Sequence, residues 1–277
     1  MIKNIYRPFI ILFLVFLAVS CNQDEKSDDI ISEDEHTIQA VQETKFNAQN
    51  VFNSLPDRKL ILDLIEKNKI QYNPDFLNDP NSVNKYTIEF FKATNLGIYG
   101  SDLNIASSFD QTQESMVFLK CVNVLAGSLG VNNIFDQRLF DRIQAQESNK
   151  DSILEIVIDA FKKVDETLKY NNRPATSAYI LAGCWIEGLY VSCQMAQSLN
   201  TENIVKAIIE QKESLKHLIV MLESAPINEK ASFVLADLKQ LYDAFNVAET
   251  KTAYNTDTLE PITNQIASLR KKITTGA

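Results

Sequence analysis

Two acidic residues stand in unusually apolar company. Glu187 lies in "GCWIEGLY", with Trp185 two residues before it and Tyr190 three after. Asp102 lies in "GIYGSDL", three residues after Tyr99. A carboxylate in apolar surroundings needs a partner, or its pKa rises. Two readings of Glu187 follow. It is hydrogen-bonded to a Tyr, an Arg or a helix N-terminus and fixes packing register, or it is a pocket carboxylate flanked by aromatics. Tyr99, Asp102, Trp185, Glu187 and Tyr190 are the candidate ligand-binding residues. Two carboxyls can also hydrolyse a glycosidic bond, but only about 5–9.5 Å apart and open to solvent. No catalytic residue is assigned on that basis.

The two stretches share a Gly, an aromatic two later, an acid nearby and a Leu six later. The acid is shifted by one place between them. This pattern fits a degenerate internal repeat that sets two aromatic–acid elements about a pseudo-twofold axis. It covers about seven residues, so coincidence is the competing reading.

Other chemistry lacks its residues. There are two histidines, His36 and His217. Glu213 and His217 share a helical face, but one His and one carboxylate do not make a metal site. No Glu-x-x-His pair, HExxH, Walker loop, GxGxxG or GxSxG occurs. No metal or cofactor is expected. The formal net charge is -9, and an acidic surface argues against nucleic acid, whose phosphates need basic patches.

The elements that position the acids read as helices. Glycine is scarce, at 7 of 277 residues, which suits helices better than sheets. Capping boxes occur at Ser54/Asp57 and at Ser148/Asp151. Ser82 reads as the cap of a helix stopping at Gly97. Asp110 reads as the cap of one carrying Met116, Val117, Cys121, Val124 and Leu125, ended by Gly127 and Gly130. Ile153, Val157, Phe161, Val164 and Leu168 make one stripe. Pro174 suits a first turn and opens a helix to Leu199 that is apolar nearly all round, as in a core helix. Gly183 and Gly188 inside it each cost about 1 kcal/mol relative to Ala, so tight packing or room for a ligand must offset them. Thr201 caps a helix running through Ile204, Ile208, Leu215, Ile219 and Leu222, with Pro226 as its end. Val234, Leu238, Leu241 and Phe245 follow, then the seam Leu259, Ile262, Ile266, Leu269 and Ile273. The expected fold is all-α, a bundle of roughly nine or ten helices.

The N-terminus reads differently. The apolar run from Phe9 to Val19 would span roughly 16 Å as a helix, about half a bilayer core. It fits a signal-peptide core, with Lys3 and Arg7 before it and Ala18, Ser20 and Cys21 after. This resembles a bacterial lipobox, although Ala18 stands where Leu is usual. It implies cleavage before Cys21 and a lipid, palmitate among its acyl groups, on that thiol; the competing readings are an ordinary secretory signal or an N-terminal anchor helix. Residues 22–36 hold seven acids and one base, too polar to fold alone. The expected organisation is a signal peptide over 1–20, the lipidated Cys21 and an acidic disordered tether over 21–45, and one helical domain over 46–277. Acids directly after the cysteine also resemble the surface-export signal of Bacteroidota lipoproteins.

The motifs around Tyr99 to Leu103 and Trp185 to Tyr190, behind that lipobox, resemble a family of all-helical lipoproteins from Bacteroidota with no assigned activity. The resemblance implies an outer-membrane lipoprotein, facing the periplasm or the cell surface, and nothing catalytic. The expected partners are the membrane, through Cys21, and an envelope protein or a small molecule. The reading is an interaction module, with a small-molecule-binding module as the alternative and a carboxylate-dependent hydrolase behind both. Of the other cysteines, Cys184 and Cys193 stand ~13.5 Å apart along one helix, too far to bridge. A bridge from Cys121 to either stays open, beside the reading of all three as small buried apolar groups.

Overall fold

A computed structural model describes residues 69–145, 150–199, 201–226 and 229–276. The signal, Cys21, the tether and the capping boxes read at Ser54 and Ser148 lie outside the described residues. The described chain is all-helical, with nine α-helices and no strands among those residues.

The chain enters through two short 3₁₀ turns, Pro74–Phe76 and Pro80–Lys85. Both start with proline after a side-chain cap, Asn73 and Asp79, because proline lacks the amide hydrogen that a first turn leaves unused. The helices are α1 (Glu89–Ser108), α2 (Thr112–Leu129), α3 (Gln137–Gln144), α4 (Lys150–Tyr170), α5 (Pro174–Leu199), α6 (Glu202–Ile209), α7 (Lys212–Ser224), α8 (Ser232–Glu249) and α9 (Thr256–Thr275).

Two helices form the centre. α5 is buried around its circumference, as its apolar sequence implies, and so is α1. Their contact is the most extensive in the molecule. The helix expected to stop at Gly97 instead begins at Glu89 and passes through Gly97 to Ser108. Tyr86 is held extended by its buried ring and by its hydroxyl bond to the Thr274 carbonyl, so the helix cannot start at Ser82.

Gly97 is a contact and not a stop. A methyl group there would sit 2.0 Å from the Ile180 carbonyl oxygen and 2.7 Å from the Cys184 nitrogen. Across the interface, a methyl at Gly183 would sit 1.9 Å from the Thr94 carbonyl oxygen and 3.2 Å from the Ile98 nitrogen. The relation is reciprocal: each glycine meets the residues three before and one after the other. Backbones that close forbid any side chain, which answers the question posed by Gly183. At Gly188 the nearest atom to an added methyl is the Ser101 hydroxyl, 3.8 Å away, so sterics require no glycine there. Glu89 accepts hydrogen bonds from Arg173 and Thr176, near the starts of both helices. The contacts then ascend together through Gly97 and Gly183, so α1 and α5 run parallel.

The outer helices cover this pair. Phe161 of α4 fills the notch at Gly100. The α9 seam residues Leu259, Ile262, Ile266, Leu269 and Ile273 are all buried, as are Val234, Leu238, Leu241 and Phe245 of α8. Three details differ from expectation. The helix from Thr201 breaks at Glu210 and Gln211 into α6 and α7. Gln111 caps α2, while Asp110 sits in a left-handed turn position, and Gly130 alone ends the helix with φ +77°. Val117 and Val124 face solvent, because α2 buries one side only.

Candidate functional site

The parallel crossing brings Asp102 and Glu187 together. Measured from the two contact glycines, Asp102 is five residues on and Glu187 four. Gly188, five on from Gly183, lies beside Ser101, four on from Gly97. By the same reciprocity, position 102 faces position 187. The one-place shift between the two motifs is therefore what makes the acids meet. Placed at equivalent positions, they would not oppose each other.

Glu187 has no exposed surface and is held by Arg270 of α9. Arg270 Nε donates to Oε2 and Nη2 to Oε1, each at 2.6 Å. This two-bond geometry is the strongest form of a carboxylate–guanidinium contact. The guanidinium stacks on the Tyr190 ring, 4.2 Å from its centroid. Nη2 also donates to the Phe76 carbonyl at 3.3 Å. Burial opposes the Arg270 charge, but Glu187, Asp102 and Tyr190 together hold its pKa above the ordinary value.

Asp102 is also fully buried. Its Oδ2 accepts the Asn78 backbone N–H at 3.2 Å. Its Oδ1 is buried without a hydrogen-bond partner. Burial pushes the Asp102 pKa well above 3.8, the adjacent Glu187 charge and a hydrogen bond to Glu187 push the same way, and Arg270 and Asn78 oppose them. Glu187 already spends both oxygens on Arg270, so burial and the neighbouring carboxylate favour the neutral form of Asp102.

The segment bearing Asn78 is tied down around this centre. Asn78 Nδ2 donates to the Tyr86 hydroxyl at 3.2 Å and to Asn95 Oδ1 at 3.4 Å. Tyr86 donates to the Thr274 carbonyl at 3.1 Å. Tyr99 donates to the Asp79 carbonyl at 2.8 Å, and the Cys121 thiol to the Pro80 carbonyl at 3.7 Å. Asn95 donates to the carbonyls of Phe91 and Ile273.

Of the five sequence-predicted residues, Asp102, Glu187 and Tyr190 join one cluster through Arg270. Tyr99 borders it and anchors the incoming segment. Trp185 is buried, 2% exposed, two residues from Glu187. An open groove of about 340 Å³ between α3 and α4 has Arg142, Ala145, Ser152, Glu155, Ile156 and Asp159 on its walls, and none of the five. Cys121, Cys184 and Cys193 are free thiols, so no bridge forms between them. Burial raises their pKa values, to about 11 for Cys121 and about 12 for the other two. No group of three or more potential metal ligands occurs among the described residues.

Sequence reasoning missed Arg270, Asn78 and Asn95. Arg270 had a signal: it stands four after Ile266 and three before Ile273, on the flank of the buried α9 seam. A cation there has to find an anion inside the fold. Asn78 had none, because a residue in a short turn is placed only by tertiary contacts.

Fold and site define the class: a helical bundle closed around a buried arginine–carboxyl cluster. Comparison with protein-family models, with curated proteins and with solved structures gave no match.

Proposed function

We propose that the chain is a membrane-anchored lipoprotein of the cell envelope whose helical domain serves as a non-catalytic binding or interaction module. One observation carries the non-catalytic part. Glu187 uses both oxygens on Arg270, Asp102 is closed under Asn78, and neither acid reaches solvent. A carboxyl that works on a substrate must touch it, so a carboxylate-dependent hydrolase draws no support from this burial. The anchor rests on the run ending at Cys21. No described helix is long and apolar enough to cross a membrane, and a lipid supplies attachment without one.

The test is metabolic labelling with a palmitate analogue, followed by membrane fractionation. The expected result is label and membrane recovery in the wild type and loss of both in Cys21→Ala. Equal label or equal membrane recovery in the variant refutes the anchor. A second reading, a small-molecule-binding module, is favoured by the buried Asp102 Oδ1, which has no hydrogen-bond partner. Thermal unfolding against a panel of small polar solutes checks it. That reading expects a stabilising solute whose effect disappears in Asp102→Asn.

A further inference from the structure

The segment 73–86 is a distinct kind of wall. The helices around Asp102 are packed backbone to backbone, at Gly97 and Gly183, and cannot part cheaply. The segment is instead two 3₁₀ turns joined by extended residues. Its attachments are largely single hydrogen bonds: Asn78 to Asp102 and Asn95, Tyr86 to Thr274, Tyr99 to Asp79, Cys121 to Pro80 and Arg270 to Phe76. Leu77 and Tyr86 are its buried apolar anchors.

We propose that residues 73–86 form a latch that stays closed while Asp102 holds its proton and opens when that proton passes to bulk water. Loss of the proton leaves two carboxylates side by side with one guanidinium. The uncompensated charge is then buried without water, which is strongly unfavourable. Relief requires hydration of Asp102. Its cover is the Asn78 turn, the part of the wall not secured by helix packing. Opening uncovers Tyr99, Asp102 and Cys121. The inference is independent of the lipid anchor.

The titratable and charged groups facing Asp102 come from the elements packed around it. Tyr72 precedes the latch, with burial pushing its phenol up to about 12. Tyr86 lies in the latch and Tyr99 on α1, both raised by burial. Cys121 on α2 is raised to about 11 by burial. Arg270 on α9 stays charged, and Glu187 on α5 is bound to it at both oxygens.

The experiment is amide hydrogen exchange on the full chain across pH, corrected for intrinsic rates, with low urea as a second variable. An open latch exposes Asp102, which then ionises near its ordinary 3.8. Each opening therefore releases one proton. Protection of amides in 73–86 falls about tenfold per pH unit above that value, with little urea dependence. Amides at the centre of α5 stay protected and follow the urea dependence of global unfolding. In Asp102→Asn the latch protection is flat with pH. Overturning results are a pH-independent wild-type latch, an unchanged slope in Asp102→Asn, or latch amides that exchange only by global unfolding. A wild-type check needs no variant: the infrared C=O stretch of a protonated carboxyl must persist wherever the latch is protected. Its absence there also overturns the proposal.

Discussion

Asp102→Asn should stabilise this protein at neutral pH, and Glu187→Gln should do the reverse. The folded-state pKa of Asp102 lies well above 3.8, raised by burial and by Glu187. Below 3.8 the folded and unfolded chains both carry the proton, and the group costs nothing. As pH rises past 3.8 the unfolded chain releases its proton while the folded chain keeps it. Stability then falls by about 1.4 kcal/mol per pH unit until the folded state also ionises. Asparagine removes this penalty, since it cannot ionise in either state. Its Oδ1 can accept from the Asn78 N–H and its amide can donate to Glu187, reproducing the protonated acid. Glu187→Gln leaves a buried guanidinium without its two-bond partner, a loss of about 3–5 kcal/mol. The low end is expected, because Asp102 can then ionise beside Arg270. The assay is urea unfolding of both variants and the wild type at pH 4, 5, 6 and 7. Other carboxylates titrate over this range; Glu89 and Asp136 are held below their ordinary values by Thr176 and Arg138 respectively. The difference between wild type and Asp102→Asn cancels them. A difference that is flat with pH, or a loss in Asp102→Asn that grows toward pH 7, refutes the buried-acid argument.

Four further outcomes are expected. Gly97→Ala and Gly183→Ala should each lose about 3 kcal/mol or more in chemical denaturation, because the added methyl meets backbone that cannot yield. Gly188→Ala, with its nearest neighbour at 3.8 Å, should be neutral or gain up to about 1 kcal/mol. Arg270→Lys should lower the melting temperature, since an ammonium offers neither the paired contact to Glu187 nor the flat stack on Tyr190; unchanged stability would count against the cluster. Native Cys193 should resist thiol reagents at pH 7 and react on unfolding, as it is fully buried and burial pushes its thiol up to about 12.

The fold was legible where apolar spacing is regular. The α9 seam, the α8 stripe and the Pro174 start of α5 are where the sequence puts them. The sequence misleads at α1, where Gly97 reads as punctuation. A glycine that ends a helix and one that admits a neighbouring backbone are the same letter, and only the partner at Gly183 tells them apart. The two acids were legible as oddities, because charge in apolar company is rare. Their meeting was not legible, because a one-place shift in a short repeat has no spatial meaning until the two helices are seen to run parallel. Arg270 was hidden by its commonness on helix surfaces, and the Asn78 turn by the absence of any local rule that docks a turn on a distant helix.

The parallel run of α1 and α5 also bears on how this chain reaches its native state. Helices joined by a short loop meet antiparallel, so a parallel central pair requires a long excursion between its members. Glu89 and Thr176 touch across 87 residues of sequence. Closing a flexible loop of that length costs about 4 kcal/mol of chain entropy before any contact forms. Neither half of the chain carries both glycines, so neither can assemble the centre alone. The midpoint of the bundle is thus the part whose formation waits longest on the chain finding itself, and folding should be slower than helix content alone implies.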